Sequence, residues 1–179
     1  FGIAIEEGDI KSIDQTVDAY LPELKGSGYD GVKIKDVLQM SSGVKFNEDY
    51  SDLDSDINRY FKGFILGDSQ DVFTSSLVNE IPPGTFNRYV SIDTHVLGMI
   101  LVKATGKSLT DYLHEKIWKP IGAEYNAFWL ADGKGMEMAN GGLNATLRDF
   151  AKFGRLYKNK GNWDGKQIVS KAWIEASTF

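Results

Sequence analysis

Apolar and polar positions follow the helical period over most of this chain. The clearest helical segment begins near Ser91, a residue type favoured as an N-cap, and Gly106 is placed to end it. The apolar positions between them recur at spacings of three and four: Val96, Leu97, Ile100, Leu101 and Ala104. This pattern predicts a helix with these residues as its apolar set.

Residues with capping preferences mark further helix starts. Two pairs have the spacing of a capping box, in which a side-chain oxygen accepts from a backbone N–H one turn later: Ser108 with Asp111, and Thr146 with Asp149. Ser170 is placed to cap a final helix. The chain is therefore predicted to contain several short helices.

Strand signals are few and short. The run "TFNRYV" before Ser91 is β-prone and follows the turn sequence "PPG", and "KGNWDGKQIVS" is typical of a hairpin. The fold class is predicted to be mainly α with short strands. No repeat or break in composition divides the chain, so residues 1–179 are interpreted as one helix-rich region, internal to a larger protein.

Composition narrows the range of partners. The chain is 42% hydrophobic with a net charge of −5, which disfavours nucleic acid or an anionic membrane as the main partner. No apolar run reaches the roughly 20 residues that a membrane helix needs. Without cysteine there is neither a disulfide framework nor a thiolate metal site, and the compartment is left undecided.

Two motif fragments are set aside on local grounds. "SGVK", Ser42 to Lys45, has the Ser-x-x-Lys spacing of an acylating serine, which needs the serine at a helix N-terminus. Here the serine follows a predicted helix, and Gly43 is typical of a helix stop. His95 and His114 each lie alone on separate predicted helices, which argues against a metal site or a Ser-His-Asp triad.

Tyr89 and Ser91 stand at a corner between an extended run and a helix. Taken alone, a Tyr-x-Ser sequence is explained better by a phenol filling a gap and a serine capping the helix than by a catalytic pair, since motifs this short recur by chance. The residues around the corner favour catalysis, because they form an ordered set of motifs.

Four segments, in order, resemble the serine β-lactamase-related hydrolases. They are "FGIAIEEGDIKSIDQTVDAYLPEL", "IKDVLQMSSGVKFNEDY", "PPGTFNRYVSIDTHVLGMILVKATGKSLTDYLHEKIWKPIG" and "ANGGLNATLRDFAKFGRLYKNKGNWDGKQIVS". That family includes class C β-lactamases, D-alanyl-D-alanine peptidases, family VIII carboxylesterases and 6-aminohexanoate-dimer hydrolases. The pieces "NEDY", "YVSIDT" and "ANGG" resemble the last two groups most.

The resemblance implies the helical portion of the β-lactamase/transpeptidase-like α/β fold, with most of its central antiparallel sheet outside this chain. It implies cleavage of a small-molecule ester, amide or β-lactam through an acyl-enzyme, with no metal or cofactor. The family's nucleophilic Ser-x-x-Lys is expected before Phe1 and its third motif after Phe179, so the isolated chain is expected to be inactive. Oligomeric state is left open.

The resemblance also implies roles for individual residues. Tyr89 corresponds to the family's general acid/base, and Ser91, Tyr50 and Asn140 correspond to substrate-binding positions. Simpler interpretations remain for three of them: Ser91 as a helix cap, Tyr50 as an exposed loop aromatic, and Asn140 as a turn former. For the whole protein, the alternatives are a D-alanyl-D-alanine peptidase or penicillin-binding protein, and a non-catalytic binding module on the same scaffold. Tyr-x-Ser in place of Tyr-x-Asn leans away from a true class C β-lactamase.

Overall fold

Short helices dominate the structure, a computed structural model that describes residues 1–178. The α-helices are α1 (Gly2–Glu6), α2 (Ile34–Leu38), α3 (Asp56–Leu66), α4 (Gln70–Ser75), α5 (Ser91–Thr105), α6 (Leu109–Leu113), α7 (Leu147–Lys158) and α8 (Lys171–Thr178). Two 3₁₀ turns lie at Val17–Ala19 and Pro22–Leu24, and a π-helical turn, His114–Trp118, continues α6. The predicted mainly helical class with short strands is confirmed.

Four two-residue strands form two separate antiparallel pairs. They are β1 (Phe128–Trp129) with β2 (Leu143–Asn144), and β3 (Asn162–Trp163) with β4 (Lys166–Gln167). The second pair is the predicted hairpin. Its connecting Asp164 and Gly165 have φ of 47° and 91°, as a tight two-residue turn between right-twisted strands requires.

The β-prone run before α5 forms no strand within the described residues. Val90 is extended, with φ −140° and ψ 110°, but residues 85–90 pair with no neighbouring strand among residues 1–178. β-propensity favours an extended backbone, whereas a strand also needs a partner for its hydrogen bonds. The strand part of this prediction is wrong for the chain as described.

Helix α5 lies at the centre of the core. It packs against α1, α2, α4 and α6. All residues of the predicted apolar set lie in the main hydrophobic core or pack against it. Because neighbours surround the helix, its buried side chains extend beyond that set. The buried set includes Ile92, Asp93, His95, Val96, Met99 and Ile100.

A second, smaller hydrophobic cluster lies under α7 and α8. Its fully or nearly fully buried members are Ile121, Leu156, Val169 and Ile174. Three predicted caps are confirmed, at the starts of α6, α7 and α8: Ser108, Thr146 and Ser170 accept backbone N–H groups at 3.0, 3.2 and 3.3 Å. None of the helices in residues 1–178 has the length and apolar character needed to cross a membrane.

Candidate active site

The segment that leads to Tyr89 is tied to the end of α2. Gly84 N–H donates to Ser41 O at 2.8 Å, and Arg88 N–H donates to Met40 O at 2.8 Å. These backbone bonds hold the segment 84–88 at both of its ends. The Tyr89 side chain is 58% exposed, so its phenol lies at the surface and not in the core.

Ser91 is nearly fully buried beside Tyr89, and the two hydroxyl oxygens lie 3.4 Å apart. The N-cap of α5 is Val90, and Ser91 is the first helical residue. The interpretation of Ser91 as the cap is therefore wrong. Its hydroxyl donates to the Glu48 carboxylate.

Glu48 caps α5 from a distant part of the chain. Ser91 N–H donates to Glu48 Oε2 at 3.0 Å, and the Ser91 hydroxyl donates to Glu48 Oε1, across 43 residues of sequence. The first N–H groups of a helix lack intrahelical acceptors and carry partial positive charge, so a carboxylate there is stabilising. Since Val90 has no side-chain acceptor, a carboxylate from another segment takes over the capping.

Tyr50 meets the same carboxylate. Its hydroxyl donates to Glu48 Oε1 at 3.0 Å, and its ring is 59% exposed. The neighbouring Ser91 hydroxyl lowers the pKa of Tyr50, but desolvation and the Glu48 carboxylate together outweigh this effect and raise it. Glu48, Tyr50, Tyr89 and Ser91 thus form one group, called here the Glu48 cluster.

Asn140 lies against α3 and makes no side-chain hydrogen bond to the Glu48 cluster among residues 1–178. Its Oδ1 accepts from the hydroxyl of the buried Tyr60 at 3.1 Å. Burial raises the pKa of Tyr60 well above its usual range, so this phenol remains a donor. The ring of Tyr60 packs edge-on against His95, with centroids 6.1 Å apart, one turn along α5 from Ser91.

Of the four residues predicted for the site, Tyr50, Tyr89 and Ser91 come together, and Asn140 is bonded to Tyr60 instead. Sequence reasoning missed the Glu48 carboxylate, which bonds to Tyr50 and to Ser91. A signal for it was present, because Glu48 and Tyr50 stand two apart in "NEDY", the spacing that puts side chains on one side of an extended segment.

Close to the cluster in sequence lies a buried acidic residue that sequence reasoning missed. Asp93, two residues after Ser91, is fully buried and accepts from Tyr29 Oη at 2.7 Å. Burial raises the pKa of Asp93 to about 6. Ser42 is nearly fully buried after the end of α2, not at a helix start, consistent with setting its Ser-x-x-Lys aside.

The Glu48 cluster can bind polar substrate groups and relay protons. It presents two exposed phenols and one buried hydroxyl around a carboxylate that can only accept hydrogen bonds when ionised. No three His, Asp or Glu side chains in the described part of the chain gather as metal ligands. His95 is buried, with Nε2 3.0 Å from Asp71 Oδ1.

Comparison with known proteins gives one family. The model of the beta-lactamase family matches residues 3–178. A 6-aminohexanoate-dimer hydrolase of Paenarthrobacter ureafaciens is 35% identical over 182 residues, covering 98% of this chain and 46% of that protein. The chain thus spans about half the length of the relatives it matches.

Solved structures agree in fold. A Bacillus anthracis protein assigned as a 6-aminohexanoate-dimer hydrolase superposes with a TM-score of 0.85 at 28% identity, covering 98% of this chain and 48% of that one. An octameric penicillin-binding protein homologue from Pyrococcus abyssi gives a TM-score of 0.67 at 22% identity, covering 97% of this chain and 44% of that one. The second similarity bears on fold alone. With its motifs, helical architecture and matching family model, this chain belongs to the beta-lactamase family.

Proposed function

We propose that this chain contributes part of the active site of a serine hydrolase that cleaves an ester, amide or β-lactam bond through an acyl-enzyme. Tyr89 is the general acid/base. One observation supports this role above the others: the Tyr89 phenol is exposed on a tightly bonded corner, with its hydroxyl 3.4 Å from that of Ser91.

The chemistry needs a nucleophile from outside these residues. A serine of the family's Ser-x-x-Lys motif attacks the carbonyl carbon, and its proton passes to the Tyr89 oxygen. Tyr89 returns a proton to the leaving group, leaving the acyl-enzyme; water then attacks the ester in a second, equivalent step. An ordinary phenol ionises near pH 10, so this role requires a cation beside it, which the motif lysine would supply.

Substrate binding is assigned to Ser91, Tyr50 and Asn140. The first two present hydroxyl groups beside Tyr89, and Asn140 is oriented by Tyr60. We favour a linear amide or ester over a β-lactam, because the relative with 35% identity is a 6-aminohexanoate-dimer hydrolase. A peptidase that acts on D-alanyl-D-alanine is the alternative enzyme, and a binding module without activity is the alternative outside catalysis.

Turnover by the full-length protein tests the proposal. The substrates are p-nitrophenyl butyrate, the 6-aminohexanoate dimer, a D-alanyl-D-alanine peptide and nitrocefin. Tyr89→Phe should lower kcat by about 10²–10⁴-fold, the usual contribution of general acid/base catalysis. Tyr125→Phe is the matched control, because Tyr125 is similarly exposed at 61% and lies outside the cluster; it should be unchanged. Equal rates for Tyr89→Phe and wild type would contradict the assignment, and no turnover by wild type would favour the binding module.

A further inference from the structure

One carboxylate joins two segments that are distant in sequence. Glu48 accepts from the Ser91 N–H at 3.0 Å, from the Ser91 hydroxyl, and from the Tyr50 hydroxyl at 3.0 Å. We propose that Glu48 is a positioning residue, which holds the Tyr50 phenol against the first turn of α5 so that Tyr50 and Ser91 act on substrate as one unit. This inference rests on the proposed function.

The capping contact explains why a carboxylate is needed. The Ser91 N–H is buried at the start of α5, and Val90 offers it no side-chain acceptor. Hydrogen bonds to an ionised acceptor are about twice as strong as neutral ones, and the helix N-terminus adds a favourable electrostatic interaction. Glu48 is therefore fixed by α5 first, and this fixed carboxylate can then orient the exposed Tyr50 phenol.

Glu48 forms no ion pair within the described residues. Arg59 pairs with Asp56 and Arg88 pairs with Glu80, each at 3.2 Å, and neither forms an ion pair with Glu48. Because no cation within the described chain competes for Glu48, its hydrogen bonds to Ser91 and Tyr50 are its main interactions.

The loop that carries Tyr50 has its own anchors. Asn58 Nδ2 donates to Tyr50 O at 3.1 Å and to Asp52 O at 2.8 Å, and Asn47 N–H donates to Asp56 Oδ2 at 2.8 Å. These bonds attach the loop to α3 without help from Glu48. A Glu48 variant should therefore fold, with the Tyr50 ring released while the loop backbone stays in place.

Glu48 acts through its neighbours and not on the reacting atoms. It reaches Tyr89 only by way of the Ser91 hydroxyl. Its removal should therefore weaken binding, seen in KM, more than the chemical step, seen in kcat. It should also cancel the contribution of Tyr50, since an unheld phenol no longer binds in one geometry.

The experiment compares Glu48→Gln, Tyr50→Phe and the double variant in the full-length protein. Glu48→Gln keeps an acceptor oxygen for the Ser91 N–H but loses the charge, and should lower kcat/KM about 10–100-fold, mainly through KM. Asp54→Asn makes the same charge change on an exposed residue of the same loop, and should stay within about twofold. The double variant should be no worse than the poorer single variant, since coupled residues are not additive.

A second measurement reads the contact without turnover. Ultraviolet titration of the phenols, with Tyr50→Phe subtracted, follows the ionisation of Tyr50 alone. Glu48→Gln should lower the pKa of Tyr50, because the carboxylate is one of the groups that raise it. An unchanged titration would show that the contact is absent and would overturn the proposal.

The outcomes separate this inference from the proposed function. Additive losses in the double variant would overturn the positioning role, and so would an altered Tyr50 titration with unchanged kcat/KM. In either case a slow Tyr89→Phe variant would still support the proposed function. Normal turnover by Tyr89→Phe would overturn the proposed function itself.

Discussion

Tyr29 donates a 2.7 Å hydrogen bond to Asp93, and both side chains are fully buried. The pair joins the loop before α2 to the first turn of α5, directly behind Ser91. Burial favours the neutral form of the Asp93 carboxyl and raises its pKa to about 6, although the Tyr29 hydrogen bond opposes this by favouring the ionised form. The corner that carries Tyr89 therefore rests on a group that titrates near neutral pH.

This pair predicts a pH-dependent stability. The pKa of Asp93 rises from 3.8 when unfolded to about 6 when folded, so between these values the folded protein binds more protons. The free energy of unfolding should then fall as pH rises from about 4 to about 7, by on the order of 3 kcal/mol from this group, and level off at higher pH.

Asp93→Asn tests this dependence, because asparagine keeps an oxygen for Tyr29 and does not ionise. The free energy of unfolding of the variant minus that of wild type, measured by urea unfolding, should be larger at pH 7.5 than at pH 4.5. Asp54→Asn, on the exposed loop, is the control and should show no comparable gain. A wild-type-to-variant difference that is the same at both pH values would contradict the prediction.

Gly43 should tolerate no side chain. Its φ is +75°, and a Cβ would lie 1.9 Å from Ile81 O, whose residue donates its N–H to Gly43 O at 3.0 Å. Gly43→Ala should lower the free energy of unfolding by about 3 kcal/mol or more through steric and backbone strain.

Gly8 provides the matched control for Gly43. Its φ is +85°, but no atom lies within 4 Å of a Cβ there. Gly8→Ala should lower the free energy of unfolding by only about 1–2 kcal/mol, the cost of placing an alanine at a positive φ. Thermal or urea unfolding of the two variants separates crowding from conformation, and equal losses would show that the close approach to Ile81 is unimportant.

The Tyr60–Asn140 contact separates a structural from a substrate role for Asn140. Tyr60→Phe removes the donor and should lower the free energy of unfolding by about 0.5–1.5 kcal/mol. If Asn140 binds substrate in the orientation set by Tyr60, then Asn140→Ala and Tyr60→Phe should both raise KM severalfold with little effect on kcat. Loss of stability with unchanged KM would make Asn140 a structural turn residue.

Features set within a few residues were predictable from the sequence. Ser108 and Thr146 cap their helices, Gly106 ends α5 with φ of 66°, and the Asp164–Gly165 turn joins β3 to β4. Each depends on one side chain meeting a backbone group in its own turn, or on glycine tolerating a left-handed φ. The positions of Tyr89, Tyr50 and Asn140 were taken from motifs, and their roles remain predictions.

The tertiary structure decided what those local signals left open. The sequence placed a helix after Val90, but only folding brought Glu48, 43 residues away, to cap it and to displace Ser91 from that role. The Tyr29–Asp93 and Tyr60–Asn140 bonds join residues 64 and 80 apart. Which residues meet at such distances depends on how the helices pack around α5. Burial of apolar surface drives that packing, and the local sequence pattern does not specify which polar groups it brings together.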